Sequence, residues 1–200
     1  TRSKKKDLLY VAVAAFFFLT ACVLQTVDDY ISDWSVKTTI ALLTQYIFFG
    51  LLAYWTASVI SRISDKSICS GIIVAIALMG GILFVRLLKY HVFYDGTVMR
   101  YLWYSYYIPH CLAPAVLLIT LLGMGRKDGK PLAKGWYLLF LPAAALILLV
   151  FTNDLHEQVF SFAKGLKYSN EIYKWEWGYY FILSWIAVLY LSIGVLLYIK

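Results

Sequence analysis

Charge and aromatic rings gather at four places along this chain, each at the end of a long apolar run. Arg86, Lys89, Tyr90 and His91 close one run, and Arg100-Tyr-Leu-Trp-Tyr-Ser-Tyr-Tyr-Ile-Pro-His110 opens the next. Thr152-Asn-Asp-Leu-His-Glu157 ends a third, while Tyr168, Tyr173, Trp175, Trp177, Tyr179 and Tyr180 surround the start of the last. Arginine facing carboxylate in an apolar layer predicts charge-assisted pairing, because each charge offsets part of the desolvation cost of the other. The same groups, left open to one side, would make a pocket for a polar or anionic ligand.

Helical spacing sorts these groups into faces. Arg100, Trp103, Tyr104 and Tyr107 form one stripe, and Arg86, Lys89 and Tyr90 another. A helix continued past Asn153 would put Asn153, His156 and Glu157 on one face, with Asp154 turned away. Arg86 or Arg100 is expected to pair with Asp154 or Glu157, with Tyr104, Tyr107 and His110 lining the floor beneath. The expected ligand-binding or switch network is therefore Arg86, Arg100, Tyr104, Tyr107, His110, Asn153, Asp154 and His156. A plainer reading stands beside it. Trp and Tyr concentrate at membrane interfaces as belt residues, and Lys89 has a stem long enough to snorkel to the headgroups.

Catalysis finds little support. His156 with Asp154 and Glu157 lacks the spacing of a zinc-protease helix, and there is no nucleophile elbow, phosphate loop or dinucleotide fingerprint. Cys22 and Cys111 fall inside apolar runs and Cys69 at a run's end, so neither a disulfide nor a zinc framework is expected. No catalytic residue, metal or cofactor is expected. A transporter would place polar groups near the middle of its helices, whereas here they collect toward one end.

The elements that must hold these groups are membrane helices. Hydrophobic residues make up 62% of the chain and mean hydropathy is +0.74, too apolar for a soluble core to absorb. Six runs, about Leu8–Val27, Lys37–Ile60, Ile68–Leu88, Tyr101–Met124, Gly135–Asn153 and Gly178–Ile199, approach or exceed the roughly 20 residues needed to cross a bilayer. The third has sequence to run on through Tyr90. The expected fold is an all-α polytopic bundle of six spans in a single domain over 1–200.

Placing Arg2–Lys6 in the cytoplasm puts eleven cations there: Arg2, Lys4, Lys5, Lys6, Arg62, Lys66, Arg126, Lys127, Lys130, Lys134 and Lys200. Only Asp7, Asp65 and Asp128 accompany them. Seven cations (Lys37, Arg86, Lys89, Arg100, Lys164, Lys167 and Lys174) fall on the other side with eight acids. Those acids are Asp28, Asp29, Asp33, Asp95, Asp154, Glu157, Glu171 and Glu176. The bias predicts both termini inside, and the net charge of +7 is read as topology rather than nucleic-acid binding. The first run is too long for a cleaved signal and is expected to remain as an anchor. Thr1 in place of Met predicts an earlier natural start, and the stop at Lys200 predicts a cut before something else. Pro109 and Pro114 in the fourth run and Pro142 in the fifth invite kinks, and Gly80–Gly81 invites a close helix neighbour.

Two of these stretches, Arg100-Tyr-Leu-Trp-Tyr-Ser-Tyr-Tyr-Ile-Pro109 and Phe151-Thr-Asn-Asp-Leu-His156, resemble signatures of the seven-helix membrane sensor region found at the N-terminus of some bacterial histidine kinases. Arg86 with Lys89, and the Gly178-Tyr179-Tyr180 start of the last run, add to the resemblance, which covers about residues 80–190. It implies a multi-pass receptor in the bacterial inner membrane, coupled to a cytoplasmic output domain after Lys200. The partners expected are the lipid bilayer, an extracellular or membrane-borne ligand, that output domain and, where the receptor pairs, a second copy of the chain. Departures are plain: six runs instead of seven, with no phosphoacceptor helix or ATP-binding boxes. A small transporter or scaffold subunit is the alternative.

Overall fold

The structure, a computed structural model, describes residues 2–28, 30–124, 132–162 and 173–199. Tyr168, Asp29, Arg126, Lys127, Asp128, Lys130, Lys164, Lys167, Glu171 and Lys200 lie outside them. The described chain is helical apart from one two-stranded hairpin. Six helical segments are long and apolar enough to cross a membrane: Tyr10–Val27, Ser35–Arg62, Lys66–His91, Gly96–Gly123, Lys134–Phe151 and Trp177–Ile199. These are the marks of a multi-pass membrane protein.

The chain forms two units, Thr1–Ser58 and Val59–Lys200. Helix α1 (Arg2–Asp28) and all but the last turn of α2 (Trp34–Arg62) supply the first. Within it Tyr10 meets Tyr54 and Phe18 meets Phe48, at ring separations of 6.4 and 6.3 Å. An apolar cleft of about 410 Å³ lies among Tyr10, Phe17, Tyr46, Leu51 and Tyr54.

The second unit holds α3 (Lys66–His91), α4 (Gly96–Ser105), α5 (Tyr107–Gly123), a 3₁₀ turn at Lys134–Leu139, α6 (Phe140–Phe151), the one-turn α7 (Asn153–His156) and α8 (Trp177–Ile199). Strands β1 (Phe160–Phe162) and β2 (Tyr173–Trp175) pair antiparallel, with Phe160 opposite Trp175 and Phe162 opposite Tyr173. Helix α5 is central and packs on α3, α6 and α8.

Local chemistry sets the element ends. Asp33, Asp65 and Asp95, which the charge pattern places in loops, each cap the next helix. The Asp95 carboxylate, for example, accepts from Thr97 N at 2.9 Å and Val98 N at 3.0 Å, satisfying donors that have no partner within the first turn. Tyr106 separates α4 from α5 within the fourth span. The cause is Pro109, which brings no N–H for the Ser105 carbonyl and whose ring disfavours the regular ladder there. Pro142, by contrast, sits in the first turn of α6, where its missing N–H costs nothing; the 3₁₀ turn ends immediately before that helix.

A close helix approach occurs at Gly71, whereas Gly81 has open space beside it. A Cβ on Gly71 would overlap the Thr120 side chain, whose hydroxyl donates to Val116 O at 2.7 Å. Gly71 therefore lets α3 seat against α5. Gly71→Ala is expected to lower stability by about 1–3 kcal/mol through overpacking. Thermal unfolding in detergent checks this, and Gly71→Ala combined with Thr120→Ala should recover most of the loss.

Candidate functional site

The site forms where α4, the end of α6 with α7, the hairpin and the start of α8 come together. The stripe expected on α4 is present. Arg100 Nη2 lies 2.6 Å from Asp154 Oδ2, and Tyr104 Oη donates to Asp154 Oδ1 at 2.9 Å. One carboxylate on α7 is thus held by two residues of α4, one turn apart. The Arg100 and Asp154 side chains keep 12% and 20% of their surface, so a solute can reach this edge of the site.

Deeper in, the site is sealed, with Tyr104 and Asn153 both fully buried. The Asn153 amide uses its full hydrogen-bonding capacity. Its Oδ1 accepts from Val159 N at 2.9 Å and Phe160 N at 3.0 Å, and its Nδ2 donates to Phe160 O at 2.8 Å and Tyr104 Oη at 3.2 Å. One side chain therefore pairs with the start of β1 as another strand would. The helix needed for Asn153, His156 and Glu157 to share a face does not continue. It breaks at Thr152, makes the single turn of α7 and stops at Glu157, whose φ of 48° lies in the left-handed region. That break turns Asp154 toward Arg100 and Asn153 toward the hairpin.

Phe160, fully buried, plugs the space this creates. Its ring stands 4.5 Å from Trp103, 5.6 Å from Tyr107, 5.8 Å from Tyr173 and 5.9 Å from Tyr179. The first residues of α8 are strapped to the same segment: Gly178 N donates to Gln158 O at 2.9 Å and Glu176 N to Val159 O at 3.0 Å. A Cβ at Gly178 would stand 2.8 Å from the Gln158 carbonyl oxygen, so only glycine admits this approach without a shift. Ser161 Oγ completes the strap by donating to Glu176 Oε1 at 2.7 Å.

The remaining expected residues, His156, His110 and Arg86, have partners outside the Arg100–Asp154 pair. His156 supports the turn: its Nδ1 accepts from Gln158 N at 3.0 Å, which leaves the proton on Nε2, 3.2 Å from Thr152 Oγ1. His110 is exposed, its ring 6.2 Å from that of Tyr107. Its Nδ1 bonds the Tyr106 carbonyl, where the break before Pro109 leaves only a long 3.4 Å backbone bond from His110 N. Arg86 is one turn before Lys89 on α3, with its guanidinium 6.0 Å from the Tyr90 ring, and Asp154 pairs with Arg100 instead. Lys89 does not snorkel; it is 2% exposed, packed against Tyr90 and Tyr106.

Phe160 and the hairpin are elements of the site that sequence reasoning misses. Gly178 is legible only as the start of the last run, not as the point where it meets Gln158. The alternation Phe160-Ser-Phe162 and Tyr173-Lys-Trp175 is the hairpin's only signal, and three-residue strands are too short for period-2 patterning to stand out. Among the described residues no three His, Cys, Asp or Glu side chains gather to hold a metal ion. Compared with known proteins, the chain matches no family model, no curated protein and no solved structure.

Proposed function

We propose that this chain is the membrane-embedded input domain of a bacterial signalling protein, a sensor histidine kinase of the inner membrane, with the Arg100–Asp154 edge facing outward. The observation that carries this reading is the mechanical position of that ion pair. It is the accessible end of a chain of contacts running from Asp154 and Asn153 through the hairpin to Gly178, the second residue of α8. A polar or anionic ligand that competes with Asp154 for Arg100 would loosen α7 from α4. The hairpin would then shift the start of α8, and α8 would carry the change across the bilayer toward an output attached after Lys200. Such a ligand must bind one packing better than the other to move the equilibrium. The loop-charge bias supports both termini lying inside.

Reading the natural coding frame past Lys200 tests the assignment. An in-frame kinase or other signalling domain is the expected result. A stop there, with solute flux through the purified protein in liposomes, would replace it by a small transporter. A stop without flux would leave a scaffold subunit.

A further inference from the structure

The last turns of α3 carry a second polar group that the Arg100–Asp154 site does not use. Arg86 and Lys89 are three residues apart, so two like charges share one face of the helix. Tyr90 lies between them: its ring centroid is 6.0 Å from the Arg86 guanidinium and 4.8 Å from Lys89 Nζ, and its hydroxyl is 3.4 Å from that nitrogen. From the break between α4 and α5, Tyr106 closes the far side, its ring 6.0 Å from Lys89 Nζ. The Tyr106 hydroxyl is buried and has no hydrogen-bond partner among the described residues. A buried hydroxyl in that state calls for an acceptor.

We propose that Arg86, Lys89 and Tyr106 form a headgroup site for an anionic phospholipid, with Tyr90 as its movable cover. A phosphodiester offers two unesterified oxygens that accept from several donors at once, which suits a guanidinium, an ammonium and a hydroxyl on two helices. Depth fits as well. Arg86 is five residues before the end of α3, about 7–8 Å along the axis at 1.5 Å per residue, from where a side chain of its length extends to the headgroup layer. Arg86 and Tyr90 are exposed while Lys89 is covered, so a headgroup meets Arg86 first and reaches Lys89 as Tyr90 swings aside. Two cations on one face favour a headgroup of net negative charge over a zwitterionic one, whose own cation they repel. The site stands independently of the signalling assignment.

Native mass spectrometry of the chain in detergent, titrated with phosphatidylglycerol and separately with phosphatidylcholine, tests the site. Wild type is expected to retain phosphatidylglycerol preferentially. Arg86→Gln, an exposed position that folding should tolerate, is expected to weaken that retention about tenfold, the loss of one charge-assisted hydrogen bond. Lys89→Gln should weaken it similarly, and Tyr106→Phe should do so a few-fold. Equal retention of the two lipids, or unchanged phosphatidylglycerol retention by Arg86→Gln, would overturn the proposal. Displacement of phosphatidylglycerol by inorganic phosphate at matching concentration would also overturn it, reassigning the site to a soluble anion.

Discussion

Arg100→Gln is expected to cost about 2–4 kcal/mol of stability, somewhat less than breaking a fully buried pair, because both side chains keep some exposure. The loss comes from Asp154. It would keep the Tyr104 hydroxyl as a donor but lose its counter-charge in a layer poor in water. Removing both charges, as Arg100→Leu with Asp154→Leu, should return most of that stability, since neither charge is then left behind. The difference between the single and double variants is the coupling energy of a double-mutant cycle. Thermal unfolding in detergent at low and high salt measures it. A pair worth nothing, or one that vanishes in salt, would mark a surface contact rather than a lock. Under the proposed input role, the double variant separates stability from signalling: a folded bundle with a fixed output is the expected result.

Asn153→Leu is expected to be as damaging, by a different route. It orphans the Val159 and Phe160 N–H groups and the Phe160 carbonyl, all of which the Asn153 amide satisfies. Each buried group left without a partner costs about 1–3 kcal/mol, and relaxation of the hairpin toward water brings the expected total to about 3–5 kcal/mol. Hydrogen exchange at Val159 and Phe160 should rise well before the helices open, and Trp103 emission should shift as Phe160 withdraws from it. Asn153→Asp sharpens the test. The acceptor for both N–H groups survives, the donor to Phe160 O is lost, and a second carboxylate lies beside Asp154. Protection at Val159 and Phe160 should therefore outlast that in the leucine variant. Equal loss of protection in both would mean that the side chain fills space rather than pairs with β1.

The legibility of this molecule tracks the length scale of each feature. Helices that cross a bilayer are read from twenty-residue averages, so all six segments are visible in the sequence. The α4 stripe is visible too, because Arg100, Trp103, Tyr104 and Tyr107 obey helical spacing across a single break. Beyond Phe151 the path of the chain is decided over one or two residues. The break at Thr152 and the left-handed Glu157 choose which of Asn153, Asp154 and His156 faces α4, and no periodicity reports such a choice. The place of His110 is hidden for the same reason: Pro109 shifts the local ladder, and the imidazole is drawn to a nearby carbonyl. Lys89 is buried through contacts with Tyr90 and Tyr106, the latter beyond α3 altogether, which position along α3 alone does not reveal.

Glu157 ends α7 in a strained backbone conformation, its N–H donating to Asn153 O at 2.7 Å. A non-glycine residue in the left-handed region costs about 1–2 kcal/mol, which the surrounding contacts must offset. On the proposed release of Asp154 from Arg100, that cost would favour winding residues 152–157 onto the end of α6. The winding would carry His156 round beside Asn153 and pull the hairpin inward. Glu157→Gly, which removes that cost, is expected to hold the observed turn against such winding.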